Sequence, residues 1–442
     1  MGFSYDSCMS TSDDSVAGAG RPAPAPRLRL ADREQLLPPM PLDDLLTDDH
    51  QARAVWRFVE GLDLTDLYVR IRSVEGHPGR PPADPRILTA LWLAATLEGV
   101  GSARALDYLC THHHAFRWLC GGVSVNYHSL SDFRVRHLEL LDDLLTHSVA
   151  VLREQELVDL HRVAQDGMRV RASAGAASFR RRPTLEECLA EATEQVQRLR
   201  AELEDDPGAG QRRQQQAQER AAREREARLQ RALERLPELE AKKKADDKTK
   251  ARCSSTDPEA TVMKMADGGF RPAYNFQFAT ATDSQIIVGV EVTTSGSDQG
   301  QLAPMVEQIH ARFGQRPKEA LVDGGFASHA DIEAVSAPDK GCVVYAPVPE
   351  PKDPKRDRYT PLEGDSPAVA AWRVRMGTDQ AKAIYKDRAA GAECVNALAR
   401  NRGLRQLTVR GRLKAKAIAL WYAIAQNLRR AVSLRAALGA QG

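Results

Sequence analysis

No run of apolar residues in this 442-residue chain approaches the ~20 needed to span a bilayer, and the N-terminus has no apolar signal core. The sequence therefore predicts neither a membrane protein nor a secreted one. Paired cysteines are missing too. The seven, Cys8, Cys110, Cys120, Cys188, Cys253, Cys342 and Cys394, are scattered and odd in number, with no close pair of the zinc-knuckle kind. A disulfide framework and a structural zinc are both excluded on that reading, and a reducing cytoplasm is the expected compartment. A strong net charge is also lacking. Lys and Arg number 62 against 60 Asp and Glu, so the whole-chain balance of +2 says little about partners. Its distribution says more: from Cys394 to the C-terminus there are ten Lys or Arg and no Asp or Glu. A basic end on a near-neutral protein is a candidate footprint for phosphates.

What is present suffices for two or three domains, each with its own core. Residues 1–26 are rich in Ser, Asp, Ala and Pro and read as a disordered tail. Residues 27–157 read as a helical domain. Asp48-Asp49 is placed to cap a helix carrying Ala54, Val55, Phe58 and Val59. Asp84-Pro85 is an N-cap followed by proline at the first helical position, opening Ile87 to Leu97 before Gly99. Ser102 starts another helix, and Ser129 or Ser131 a longer one after Cys120-Gly121-Gly122. A glycine turn before a helix bearing Arg134, Arg136 and His137 suits a helix-turn-helix-like DNA reader, with Arg134 and Arg136 as DNA contacts. The plainer alternative is a helical bundle whose polar face meets water.

From 160 to 172 the pattern turns to strand or hairpin, with Asp166-Gly167 at its centre. An interruption follows over 184–250. Leu185, Leu189, Ala192, Val196, Leu199 and Leu203 step by four and three, a coiled-coil seam, and a second apolar series runs through Ala222, Leu229, Ala232, Leu236 and Leu239. The break at Asp205-Asp206-Pro207-Gly208 between them predicts an antiparallel helical hairpin. Beyond Asp257, strands are expected at 274–282, 286–293, 320–322 and 341–347. Helices are expected at 301–313, 329–335, 389–398 and 415–434. The predicted class is α/β: a mixed sheet flanked by helices, built from 158–183 and 251–442 around the inserted hairpin.

Three acids stand where that topology would gather them. Asp166 lies on the first strand. Asp323 follows Ala320-Leu321-Val322 and precedes Gly324-Gly325, at the C-terminal end of a strand, where ligands collect in open α/β sheets. Glu393 is on a late helix, and no other Glu follows Glu363. Such an oxygen-only set suits Mg²⁺ or Mn²⁺, and two such ions about 4 Å apart serve phosphodiester transfer. Taken singly, each acid reads as an ordinary turn former or a solvated helix residue. Asp-Gly-Gly-Phe occurs twice, and only Asp323 follows a clean apolar strand; Asp267 reads as a loop. His112-His113-His114 diverge and read as surface. Trp118, Trp372 and Trp421 read as core, and Cys394 as a packed thiol.

Asp166-Gly167-Met168-Arg169-Val170-Arg171-Ala172, Asp323-Gly324-Gly325-Phe326, and Tyr385-Lys386-Asp387-Arg388 before Glu393 together resemble the Asp-Asp-Glu (DDE) transposases of bacterial insertion sequences. The likeness extends from about residue 35 and takes in Asp257-Pro258-Glu259-Ala260, Gly269-Phe270-Arg271-Pro272-Ala273-Tyr274-Asn275, Ser297-Asp298-Gln299-Gly300 and Asn401-Arg402-Gly403-Leu404. It implies a ribonuclease H-like catalytic domain and a catalytic and metal-binding triad of Asp166, Asp323 and Glu393 holding two Mg²⁺ or Mn²⁺ ions. It also implies double-stranded DNA of the element's ends and of the target as partners, and a synapse with more than one copy, for which a homodimer is the expectation. A related transposase group has Tyr, two residues, Arg, three residues, Glu, six residues, Lys. Here Tyr385 and Arg388 keep the first interval, Arg400 stands where that group has Lys, and Glu393 comes one residue late. One residue turns a helical position by about 100°, so Arg388 either reaches the DNA phosphate with Tyr385 or packs before the helix begins. Glu393, Ala397 and Arg400 share a helical face, and Arg402 continues the positive track. The expected activity is metal-dependent cleavage and joining of DNA at the element's ends; the alternative is a transposase-derived, non-catalytic DNA-binding protein.

Overall fold

The structure, a computed structural model, describes residues 40–71, 81–205 and 212–439. The tail expected over 1–26 and the Pro-Gly break at 206–210 lie outside the described residues. The first half is helical: α1 (Gln51–Glu60), α2 (Thr65–Val69), α3 (Pro85–Leu97), α4 (Ala103–His112), α5 (His114–Cys120), α6 (Tyr127–Arg136) and α7 (Leu138–Glu154). Helix α3 starts as its sequence dictates. Asp84 accepts from Arg86 N at 2.8 Å, Pro85 takes the first position, and Gly99 turns the chain out at φ +75°. Two caps differ from expectation. The cap of α1 is His50, whose Nδ1 accepts from Ala52 N at 3.0 Å, rather than Asp48 or Asp49. Helix α6 starts at Asn126, whose side chain accepts from Ser129 N at 2.9 Å, three residues before Ser129. The long helix expected there is two, because His137 (φ −116°, ψ 53°) leaves helical geometry.

The sheet is built from β1 (Arg162–Arg171), β4 (Thr261–Lys264), β5 (Phe270–Ala281), β6 (Ile287–Thr293), β7 (Glu319–Leu321) and β8 (Val343–Tyr345), with β2 (Phe179–Arg180) and β3 (Cys253–Ser254) as a separate two-stranded ladder. The order is β4-β5-β1-β7-β8, and β6 pairs with the later residues of β5. Strand β5 is antiparallel to β1, whereas β7 and β8 continue parallel to it. Between the strands and after them run α10 (Leu302–Phe313), α11 (His329–Val335), α12 (Pro367–Met376), α13 (Asp379–Tyr385), a π-helical turn at Ala389–Glu393, α14 (Cys394–Asn401) and α15 (Arg412–Gly439).

The interruption is a pair of helices, α8 (Arg182–Asp205) and α9 (Arg212–Ala241). They run antiparallel: Arg182 pairs with Glu240 at 3.1 Å, Thr193 donates to Glu226 at 2.7 Å, and Arg200 meets Glu219 at 3.4 Å. Leu185, Ala192, Leu229, Ala232 and Leu236 make their own small core with Ala251 and Cys253. The β2–β3 ladder ties entry to exit, with Phe179 opposite Ser254.

Helix α15 joins the rest. It is buried along Ala417–Ala425, so both the N-terminal helices and the sheet pack on it, and one apolar core runs from Leu46 through Phe278 to Ala431. Asn427 fixes it to β6 by a reciprocal pair: Ile287 N donates to Asn427 Oδ1 at 2.7 Å and Asn427 Nδ2 donates to Ile287 O at 2.8 Å. A second core lies under β7 and β8, with Phe326, Val344 and Trp372 at its centre. Among the described residues, no helix is long and apolar enough to cross a membrane.

Candidate active site

Side chains alternate across β1. Ala164, Asp166, Met168 and Val170 share one face, on which Asp166 meets Asn396 of α14 and Ala164 lies by the π turn, while Gln165, Gly167 and Arg169 face the loop before α10. Asp166 is thus the one carboxylate on this face of β1, with apolar Ala164 and Met168 on either side and Phe278 of β5 opposite. Burial penalises its charge, and its carboxyl is held above the ordinary aspartate range. Arg388 and a hydrogen bond from Asn396 pull it back only partly. Asn396 Nδ2 donates to Asp166 Oδ2 at 2.9 Å, and Gly167 N donates to Oδ1 at 3.0 Å.

Asp323 comes two residues after β7, the neighbour of β1. Val322 N still donates to Tyr345 O, and then the chain turns: Gly325 N donates to Asp323 Oδ1 at 2.8 Å, and buried Phe326 anchors the turn in the second core. Asp267, the other Asp-Gly-Gly-Phe aspartate, lies in the exposed β4–β5 hairpin, paired to Arg271 at 2.7 Å.

Glu393 closes the π turn, and that turn resolves the spacing left open by the sequence. In an i→i+5 turn one extra residue is absorbed without rotating the helix that follows. Arg388 and Glu393, five apart, therefore meet, with Arg388 Nη1 donating to Glu393 Oε1 at 2.5 Å. The same guanidinium lies 3.3 Å from Asp166 Oδ1 and 3.9 Å from Asp323 Oδ2 through Nη2. Three acids far apart in sequence converge on one buried cation. Burial opposes the charge on Arg388, but Asp166, Glu393 and Asp323 more than offset it, and its ionised form is held more firmly than usual. Tyr385 sits among the same groups, its phenol pushed upward by burial. Gly391 brings the turn against β1, beside Ala164.

The other expected DNA contacts divide. Arg400 is exposed on the face of α14 that carries Glu393 and Ala397, with Nε on Asn396 O at 3.3 Å. Arg136 is exposed and paired to Asp132 at 2.8 Å. Arg402 turns inward to Gln426 Oε1 at 2.7 Å. Arg134 is held in packing: it donates to Gly101 O at 2.6 Å, touches Thr408 and lies 4.5 Å from the Trp92 ring centroid. Burial lowers it to about 10. His112, His113 and His114 are exposed, while Trp372 and Trp421 are buried. Sequence reading missed Asn396, and with it the polar side chains Gln165, Asn275 and Gln277 at buried strand positions; polar residues inside apolar strands were the available signal.

Among the described residues, no group of three or more His, Cys, Asp and Glu side chains stands ready at metal-ligand spacing. At the triad the guanidinium of Arg388 stands between the carboxylates. The donors around it are hard oxygens with net negative charge, the set a divalent cation such as Mg²⁺ takes. Glu393 and Asp323 keep exposed side chains, at 53% and 39%, so the acids open to solvent on one side.

Residues 40–136 match a family model described as a transposase domain (DUF772). The match covers the helices from the segment before α1 through α6 and ends before the strand that carries Asp166. Neither the curated proteins nor the solved structures contain a match to this chain.

Proposed function

We propose that this chain is a DNA transposase that cuts and joins phosphodiester bonds at the ends of a mobile element, with Asp166, Asp323 and Glu393 as its catalytic acids. The observation that carries the reading is the convergence of those three carboxylates on Arg388. The transposase-domain match over 40–136 supports the same function from a part of the chain that contributes none of the three. The sheet supports a ribonuclease H-like assignment: an antiparallel hairpin β5–β6 on one side of β1, parallel β7 and β8 on the other, with Asp166 on β1 and Asp323 in the turn just after its parallel neighbour β7. The basic C-terminal segment supplies cations for the DNA backbone, which position the duplex without reading its sequence.

Two divalent ions, when bound, would activate the attacking water or 3′-hydroxyl and stabilise the leaving oxygen. Asp166 and Asp323 would hold them jointly, with Glu393 completing the second position. Asn396 fixes the Asp166 carboxylate through Oδ2, leaving Oδ1 toward Arg388. Arg388 keeps the acids charged and gathered before loading. Freed from the acids, its guanidinium would take a phosphate oxygen beside the reacting bond, with Tyr385 at its flank. Arg400 lies on the same helical face for the neighbouring phosphate.

The test is nicking of supercoiled plasmid by purified protein with Mg²⁺, reversed by chelation and repeated with Asp166→Asn. Nicking by wild type alone supports the reading. Equal nicking by the folded Asp166→Asn protein would remove Asp166 from the site, and DNA binding without nicking by either would favour the non-catalytic alternative.

A further inference from the structure

Behind Asp166, on the other face of β1, lies a second polar cluster that touches no reacting group. Its centre is Asp298, 6% exposed, in the loop before α10. Asn275 Nδ2 and Gln277 Nε2 of β5 each donate to Asp298 Oδ1 at 2.7 Å, and Arg169 of β1 donates to Oδ2 at 2.8 Å. The carboxylate sits against Gly167, the residue after Asp166, and lies near Gly325, two residues after Asp323. A Cβ on Gly167 would fall 2.9 Å from Asp298 Cγ, 2.6 Å from Gln277 Nε2 and nearer still to Oδ1; a Cβ on Gly325 would lie 3.8 Å from Oδ2. The glycine of Asp166-Gly167 is therefore explained by contact and not by backbone conformation, since its φ is not in the left-handed region.

The loop is fixed on its far side as well. Gly300 N donates to Asp331 Oδ2 at 2.7 Å, and Ser328 Oγ donates to the same oxygen at 2.9 Å. Ser328 and Asp331 belong to the segment that leaves the Asp323 turn and enters α11. Gln165, one residue before Asp166, donates to Gln301 O at 3.1 Å. A connected path thus runs from β1 beside Asp166, through Asp298 and its loop, to Asp331 and the turn that carries Asp323.

We infer that Asp298 is a positioning residue that sets the separation of Asp166 and Asp323 by acting as a charged spacer between the strand of one and the turn of the other. Three donors on one carboxylate in a buried site hold it to a single geometry. Displacement by a fraction of an ångström there moves both aspartates, and metal affinity falls when ligands leave their spacing. The inference rests on the proposed assignment of Asp166 and Asp323 as metal ligands.

The test compares Asp298→Ala with Asp298→Asn in the full chain. Asn keeps an Oδ1 acceptor for Asn275 and Gln277 and gives up both the charge and the acceptor facing Arg169. Thermal unfolding establishes that both variants fold. Mn²⁺ affinity by calorimetry, and hydrogen exchange over residues 323–326, are then read against wild type. The expected result is at least tenfold weaker Mn²⁺ binding and faster exchange at 323–326 in Asp298→Ala, with Asp298→Asn restored to within a few-fold. A folded Asp298→Ala protein with wild-type Mn²⁺ affinity and unchanged exchange would overturn the spacer. Should wild type itself bind no Mn²⁺, the metal reading fails, and exchange alone decides: faster exchange at 323–326 sustains the spacer and unchanged exchange overturns it.

Discussion

Arg388 occupies the place among Asp166, Asp323 and Glu393 that a divalent cation would want. Two cations cannot share that space, so a divalent ion held there as proposed would have to displace the guanidinium. Arg388→Gln should therefore bind Mn²⁺ roughly tenfold more tightly without DNA, the ~1.4 kcal/mol scale of one screened charge interaction. It should at the same time cleave DNA more slowly than wild type. Calorimetry and a cleavage assay on one preparation check both, and weaker Mn²⁺ binding would mean that Arg388 orders the acids more than it competes. The pH dependence has a definite sign. Burial holds the Asp166 carboxyl above its ordinary range, so without metal its contribution to stability is full below that range and is lost as pH rises through the raised folded value. Metal requires the ionised form. Mn²⁺ affinity should thus be lost on acidification at a pH above that of an ordinary aspartate, and Arg388→Gln, which removes a cation, should move that limb further upward. A downward shift of the limb would contradict the electrostatic account. At this scale much was legible in the sequence: an aspartate centred on a strand, an aspartate ending one, and a glutamate alone in its region. Asn396 and Asp298 were not, because their roles depend on which face of β1 they meet.

The π turn at Ala389–Glu393 is the element on which the site's geometry depends. Deleting Ala390 should convert it to an α-helical turn that still aligns arginine and glutamate, now four apart, and cleavage should persist within about tenfold. Inserting one alanine after Ala390 instead rotates Glu393 by about 100° and should abolish cleavage while leaving the melting temperature close to wild type. Loss of activity in both would show that this turn matters for more than alignment. Its presence could not be read beforehand, since π hydrogen bonding leaves no residue signature and only the odd spacing hinted at it. Helices α12 and α13 went unread for another reason. Ser366-Pro367 repeats the cap-then-proline signal seen at Asp84-Pro85, and Thr378 accepts from Ala381 N at 3.2 Å, but the first follows a Pro- and charge-rich stretch that masks the pattern and the second comes directly behind α12. Helices α8 and α9, by contrast, lie over the two apolar series visible in the sequence.

At the scale of the molecule, α15 packs against both the N-terminal helices and the sheet, so that among the described residues they share one apolar core. Its apolar surface is buried on several sides, by α3 and α7 on the one hand and by β6 on the other. Residues 40–157 expressed alone should therefore fail to fold cooperatively, although they contain the whole transposase-domain match. Circular dichroism with thermal unfolding checks this, and a sharp transition in the fragment would argue for an independent domain. That shared core was not legible in the sequence, because a long apolar helix does not say which partners cover it. Arg134 shows the same limit: read as a DNA contact, it donates instead to Gly101 O and lies over Trp92, between the helices and the segment leading into α15. The account as a whole predicts that one acid site cuts DNA at a defined end. The direct measurement is cleavage of a labelled duplex carrying the element's terminal sequence, with Mg²⁺, by wild type and by Glu393→Gln. Cutting at the element's boundary by wild type, and none by a folded Glu393→Gln protein that still binds the duplex, is the predicted result. Equal cutting by both proteins, or binding by both with no cutting, would contradict it.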